Sequence, residues 1–340
     1  MAKKRALITG ITGQDGSYLA EFLLSKGYLV SGIVRRSSHY RPTNIEHIQS
    51  KINLFFGDLF DPVSLVKILK SIRPHEIYNL AAQSSPGLSF KQPIHTAEIT
   101  GIGAHRMLQA AYEVCPKAKF YQASSSEMFG WVKKIPQNED VPFNPANPYA
   151  AAKLYSHNIA NIYRKSYGMH ISCGILFKHE SPRRGFEFVT QKVTFAAACA
   201  KLKFKKSPHL NEEGEPIFNK GKVALGNLRA KRDWGFAGDY VECMWLMLQQ
   251  KSPDDYVVAT GETHTVADLC KTAFGYVGLN WKNYVIVDQR FVRPTETGPL
   301  VGDITKVKEK LGWKPKVSYQ ELIEMMVDNN IKRLQNIEHS

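Results

Sequence analysis

Along the first half of the chain, short apolar runs alternate with longer stretches whose apolar residues recur at helical spacing. Arg5-Ala-Leu-Ile-Thr9 reads as a strand. Ser17-Tyr-Leu-Ala-Glu-Phe-Leu-Leu24 reads as a helix, stopped at Gly27. Further strand-like runs are Tyr28 to Val34, Ile52 to Phe56, Glu76 to Leu80, Lys119 to Gln122 and Ile171 to Phe177. This alternation predicts an α/β fold on a parallel, doubly wound sheet. Ligands of such sheets bind beyond the carboxyl ends of the strands. Those ends carry Arg35-Arg36, Gly57-Asp58-Leu59, Ala81-Ala82-Gln83-Ser84, Ser124-Ser-Ser-Glu127 and His179-Glu180.

The pattern changes after about Ser181. Phe188 to Leu202 has helical spacing. Lys203 to Lys222 is polar, with Pro, Gly and charge, and predicts a long loop or hairpin. Asp239 to Gln250 and Val266 to Phe274 predict helices, and Tyr256-Val-Val-Ala259 a strand. No internal repeat or low-complexity linker interrupts the chain.

Gly10, Gly13 and Gly16 form G-x-x-G-x-x-G between the first strand and the first helix. Glycine there allows a tight turn and a close approach of backbone to pyrophosphate, at a helix amino terminus that favours the anion. The expectation is a Rossmann-type dinucleotide-binding unit at 1–178 and a mainly substrate-binding lobe at 179–340. Segments near 222–262 are expected to return to the main sheet. Arg35 and Arg36 stand where an NAD enzyme usually places a carboxylate for the ribose hydroxyls. Arginine suits a 2′-phosphate, which points to NADP; solvated surface arginines are the competing reading. Asp58 could accept from an adenine amino group or simply cap a turn.

Tyr149 and Lys153 lie four apart on an expected helix, hence on one face. An ammonium near a phenol lowers the phenol pKa, so tyrosinate can take a hydroxyl proton as hydride leaves for a nicotinamide. Ser125 would hydrogen-bond the same sugar hydroxyl. Glu127 adds a base: beside a ketone a C–H becomes acidic, a carboxylate can remove it, and a β-hydroxyl can leave as water. Either Ser126 or Glu127 could protonate that hydroxyl.

Composition removes other classes. The chain has 340 residues, 43% hydrophobic and 22% charged, ordinary for a globular protein. No apolar run is long enough for a membrane helix, and Ala6 to Gly10 is too short for a signal h-region. A cytoplasmic protein is expected. The five cysteines are dispersed and read as free thiols, and neither they nor the eleven histidines show a metal-ligand spacing. The net charge of +14 suits anionic ligands, and no nucleic-acid motif accompanies it. Gly214 to Lys222 has the wrong spacing for a phosphate loop.

Several long segments resemble the family of GDP-mannose 4,6-dehydratases. They are Gly10-Ile-Thr-Gly-Gln-Asp-Gly-Ser-Tyr-Leu19, Tyr121-Gln-Ala-Ser-Ser-Ser-Glu-Met-Phe-Gly130, His179-Glu-Ser-Pro-Arg-Arg-Gly185, Ala230-Lys-Arg-Asp-Trp-Gly235 and Leu311-Gly-Trp-Lys-Pro315. The resemblance implies an extended short-chain dehydrogenase/reductase fold, tightly held NADP, and conversion of GDP-mannose to GDP-4-keto-6-deoxymannose. It implies catalytic roles for Ser125, Glu127 and Tyr149, with Lys153 supporting Tyr149. It implies NADP contacts from Gly10, Thr12, Gly13, Gln14, Asp15, Gly16, Arg35, Arg36, Ser37, Asp58 and Leu59. Leu80, Ala81, Ala82, Ser84, Tyr149, Lys153, His179 and Arg184 would complete that set. Substrate contacts are expected from Ser85, Ser126, Lys178, Lys192, Arg232, Arg293 and Glu296. Structural ion pairing is the competing reading for Arg232 and Arg293.

The departures fall where substrate and subunits meet. Ser125 replaces a Thr, Lys178 an Asn and His95 a Tyr; the segment His39 to Asn44 differs, and Lys203 to Lys222 is longer than in the family. The same reaction on a related sugar such as GDP-manno-heptose is therefore the nearest alternative. A superfamily epimerase or reductase would not need Glu127, and an NADP-sensing regulator would not need the Tyr/Lys pair. A homodimer or homotetramer is expected, with no metal, nucleic acid or membrane partner.

Overall fold

The structure, a computed structural model, describes residues 3–36, 43–132, 134–292 and 298–338. Its first half alternates β1 (Arg5–Thr9), α1 (Gln14–Ser25), β2 (Leu29–Val34), β3 (Asn53–Phe56), α2 (Pro62–Ile72) and β4 (Glu76–Asn79). The short helices α3 (Pro86–Lys91) and α4 (Pro93–Thr96) lead through a π-helical turn to α5 (Gly103–Val114). Then come β5 (Lys119–Ser125), α6 (Pro148–Tyr167) and β6 (Ile171–Leu176). The second half contains β7 (Lys178–Glu180), α7 (Val189–Lys201), β8 (Phe218–Asn219), β9 (Lys222–Leu225), β10 (Lys231–Arg232) and β11 (Trp234–Phe236). It continues with α8 (Ala237–Gln249), β12 (Asp255–Val258), β13 (His264–Thr265), α9 (Val266–Tyr276), β14 (Val285–Val287), α10 (Thr305–Leu311) and α11 (Tyr319–Glu338).

Seven strands form the main sheet in the order β12-β6-β5-β4-β1-β2-β3. Every pairing in it is parallel. The expected Rossmann-type sheet is the one observed. β1 explains its continuous apolar run: Ala6 and Ile8 pack toward Leu19 and Leu23 of α1 and Met244 of α8, while Leu7 packs toward Leu65 of α2 and Met107 of α5. Both faces are covered, so no position in the strand centre can be polar. The order reverses between β1 and β4, and the crevice at such a reversal is where α/β folds hold ligands.

A second core gathers Val193 and Phe195 of α7, Leu269 and Phe274 of α9, and Ile323, Val327 and Leu334 of α11. Every residue of α7 from Thr190 to Ala200 is buried, so the helix runs through this core rather than over it. Of the 222–262 segment, only Asp255–Val258 joins the main sheet as a strand, against β6. Lys222–Leu225 forms a separate small sheet with β8 and β14, which corrects that part of the expectation. The patterns explain the split. Tyr256, Val257 and Val258 are buried without interruption, whereas β9 alternates exposed and buried positions and covers one face only. The 203–222 segment folds back on itself through bridges Lys206–Asn219 and Leu210–Pro216.

Candidate active site

The first wall of the site is the turn after β1. Gly10 has φ +73°, and a Cβ there would come within 3.0 Å of the Ala81 nitrogen. The Gly13 amide donates to the Gly10 carbonyl at 3.0 Å and closes the turn. A Cβ on Gly16 would stand 2.2 Å from the Gly10 oxygen and 2.6 Å from the Ile11 Cα, both backbone atoms. Glycine therefore lets α1 begin directly on the end of β1. No side chain caps α1, so its first amides are left to favour an anion. The Thr12 carbonyl accepts from Asn44 at 3.0 Å. Thr9 Oγ1 takes the amides of Leu80 and Ala81, each at 3.1 Å, and so ties the end of β4 to the same turn.

Gln14 and Asp15 fasten this turn to the segment after β6. His179 Nε2 lies 2.7 Å from an Asp15 carboxylate oxygen, and its other ring nitrogen lies 2.7 Å from the Phe177 carbonyl. Gln14 donates to Asp15 and to the His179 carbonyl, and accepts from Ser181 at 2.8 Å. Burial alone would push Asp15 up, but the His179 charge and hydrogen bond hold it below the usual carboxylate range. Burial would likewise lower His179, and Asp15 reverses that, leaving it raised.

β5 runs three residues further than the sequence suggested. Ala123, Ser124 and Ser125 pair with Gly174, Ile175 and Leu176 of β6, and this pairing overrides the weak strand preference of serine. A 3₁₀ turn at Ser126–Phe129 follows, capped by Ser125 Oγ, which accepts from the Glu127 amide at 3.2 Å. Glu127 is buried. One of its carboxylate oxygens accepts from Lys178 Nζ at 2.7 Å and the other from Asn147 Nδ2 at 3.1 Å. Asn147 is also the cap of α6, accepting from Ala150 N at 2.8 Å, with Pro148 at the first helical position. One asparagine thus fixes both the carboxylate and the helix that carries Tyr149.

Tyr149 and Lys153 are both buried on one face of α6. The Tyr149 hydroxyl is hydrogen-bonded to the Ser125 side chain. Lys153 Nζ lies 5.8 Å from the Tyr149 ring centroid and donates to the Ala123 carbonyl at 2.7 Å. The expected lowering of the phenol is not what this geometry gives. Burial pushes Tyr149 well up, the Ser125 bond pulls it down and the Glu127 charge pushes it up again. Burial lowers Lys153 to about 8, partly opposed by Asp15. Behind Ser125, the Ser124 hydroxyl lies 2.9 Å from His157, a contact that sequence spacing does not reveal.

Two adjoining cavities bring the expected residues together. The inner one, about 110 Å³, is lined by Asp15, Leu80, Ala82, Ser84, Ser125, Ser126, Glu127, Tyr149, Lys153, Lys178, His179 and Arg184. The outer one, about 640 Å³, is lined by Ser85, Lys178, Arg184, Lys192, Arg232 and, among others, Phe188, Glu212, Trp234 and Arg290. Lys178, Arg184 and Phe188 border both. Arg184 sits 3.0 Å from Glu180 and over the Phe188 ring, and Lys192 pairs with Glu212 at 2.5 Å. The hydroxyl of Ser85 is engaged as the cap of α3.

Other expected residues stand apart from both cavities. Arg35 and Arg36 are exposed at the end of β2, with Arg36 stacked over Phe56 at 5.3 Å. Asp58 accepts from the Phe60 amide at 3.0 Å, the turn-capping alternative, and Leu59 is buried. His95 lies on α4 beside the Phe60 ring, outside both linings. The expected contacts Ser37, Arg293 and Glu296 lie outside the described residues, as do positions 39–42 of the divergent segment.

A family model described as GDP-mannose 4,6 dehydratase matches residues 7–326. The chain belongs to that family. It is 50% identical over 342 residues to GDP-mannose 4,6 dehydratase 1 of Arabidopsis thaliana, with 97% of this chain and 90% of that protein covered. It is 46% identical over 365 residues to the Homo sapiens GDP-mannose 4,6 dehydratase, with 98% and 93% covered. Among solved structures, the Thermus thermophilus UDP-glucose 4-epimerase in complex with NAD is similar. Its TM-score is 0.80 at 25% identity, with 96% of this chain and 98% of that one covered. The resemblance carried by the sequence motifs and the family match agree over nearly the whole chain. Among the described residues, no helix is long and apolar enough to cross a membrane.

Proposed function

We propose that this protein is a nucleotide-sugar 4,6-dehydratase that converts GDP-mannose to GDP-4-keto-6-deoxymannose with NADP. The observation that carries the reading is one small chamber lined by Ser125, Tyr149, Lys153 and Glu127. A plain dehydrogenase needs the first three; the carboxylate serves elimination.

The residues fit a dinucleotide. The Gly10–Gly16 turn has no room for a Cβ at Gly16 and presents uncapped helix amides to a pyrophosphate. Arg35 and Arg36 favour a 2′-phosphate. Leu80, Ala82, Ser84, Lys153, His179 and Arg184 would flank the nicotinamide half. When bound, a nicotinamide would supply hydride acceptance at C4 and hydride donation at C6, so no external reductant would be consumed.

The chain supplies the proton chemistry. Tyr149, in its deprotonated form, takes the C4 hydroxyl proton while Ser125 holds that oxygen; the positive charge of a bound oxidised nicotinamide would oppose the upward push of burial on the phenol. The C4 ketone acidifies the C5 hydrogen, and Glu127 removes it. Glu127 passes that proton to the C6 hydroxyl, which leaves as water; a solvent proton then returns to C5 as hydride is added at C6, balanced by release of the proton held on Tyr149. The sum is loss of one water with no net redox change. Lys192, Arg232 and Arg184 supply positive charge for the nucleotide diphosphate in the outer cavity. The division into a nucleotide-binding 1–178 unit and a mainly substrate-binding remainder, and assembly as a homodimer or homotetramer, belong to the same reading.

The test is mass spectrometry of the purified protein with GDP-mannose and, separately, GDP-manno-heptose. Loss of one water from GDP-mannose supports the reading. Loss from the heptose alone moves the substrate, and loss from neither sinks the dehydratase assignment.

A further inference from the structure

Within the dehydratase reading, we propose that Lys178 is the positioning residue that holds Glu127 ionised as the base. A general base acts only when deprotonated, and a carboxyl as buried as that of Glu127 would otherwise be driven toward its neutral form. Lys178 Nζ lies 2.7 Å from Glu127 Oε1, and Asn147 Nδ2 donates to Oε2 at 3.1 Å. Each carboxylate oxygen therefore receives a donor, and one donor carries a full charge. Lys178 is itself fixed from behind, because β7 pairs in parallel with β11 at Lys178–Trp234. Its side chain borders both the inner chamber and the outer cavity.

Other charged or titratable groups face the same chamber. α6 contributes Tyr149 and Lys153, α1 contributes Asp15, and the segment after β6 contributes His179 and Arg184. Asp15 is already matched with His179, and Arg184 with Glu180. Lys153 is bonded to the Ala123 carbonyl. Lys178 stands at ion-pair distance from Glu127.

An adjacent ammonium lowers a carboxyl pKa, so removing it raises the pKa and shrinks the ionised fraction at low pH. In Lys178→Met the acid limb of the kcat/KM profile should move to higher pH, by about 1–3 units. Lys178→Arg should restore the wild-type limb. A second readout needs no turnover: infrared titration of the Glu127 carboxyl in ¹³C-glutamate-labelled protein, identified by its disappearance in Glu127→Gln. That titration should shift upward in Lys178→Met.

An unmoved carboxyl titration overturns the proposal, as does an acid limb that stays in place while KM rises at every pH. The latter result would leave Lys178 a substrate contact only. If wild-type protein loses no water from either GDP-sugar and the carboxyl still shifts, the Lys178–Glu127 coupling stands and the dehydratase reading falls.

Discussion

Glu127 separates this site from one that only moves hydride. With Glu127→Gln, the C4 oxidation machinery of Tyr149, Ser125 and Lys153 remains while the base is lost. That variant should accumulate reduced cofactor, visible by absorbance, yet release no dehydrated sugar. Wild-type turnover in it would remove Glu127 from the mechanism. Tyr149→Phe should lose the first step, with kcat falling about 10²–10⁴-fold. Tyr149 and Lys153 were legible in the sequence because four-residue spacing on a helix is a local property. The upward push on Tyr149 and the Lys153–Ala123 bond were not, because both depend on what packs over α6. The same holds for Asp15, whose sequence context suggested the cofactor and whose carboxylate is bonded to His179, 164 residues away.

At the scale of elements, the glycine turn and the α6 cap position the site. Gly16→Ala drives a Cβ into backbone at 2.2 Å, which has no rotamer to relieve it. Overpacking of this kind costs about 1–3 kcal/mol. Gly27→Ala has open space but φ +80°, and a left-handed alanine costs about 1–2 kcal/mol. Urea unfolding should show both losses, and calorimetry should show loss of dinucleotide binding in Gly16→Ala alone. Asn147→Ala should cost about 1 kcal/mol as a lost helix cap and also lower kcat, since the same side chain holds Glu127. Neither role of Asn147 was singled out in the sequence, and the second depends on Glu127 reaching it through the fold. Helices and parallel strands came through the periodicity well. The extension of β5 into Ser124 and Ser125 did not, since serine gains its strand conformation here from pairing with β6.

Over the whole molecule, the Asp15–His179 pair joins α1 to the segment after β6. His179 is raised, so its contribution is complete below the ordinary imidazole pKa of about 6.5 and fades as pH rises through the raised value. Asp15 is lowered, so its contribution is complete above about 3.9 and fades as pH falls through the lowered value. The Tm difference between wild type and Asp15→Asn should therefore be greatest between about pH 4 and 6.5 and shrink at alkaline pH. A difference that grows on the alkaline side would contradict the pairing. The proposed reaction is a closed hydride circuit, out from C4 and back to C6, enclosing one elimination. The most direct measurement is the fate of deuterium in GDP-[4-²H]mannose, followed by NMR and mass spectrometry with only catalytic NADP present. The expected product is a 4-keto sugar lacking one water, with the deuterium at C6 and no build-up of reduced cofactor. Deuterium retained at C4, or found in stoichiometric reduced cofactor without water loss, would contradict it.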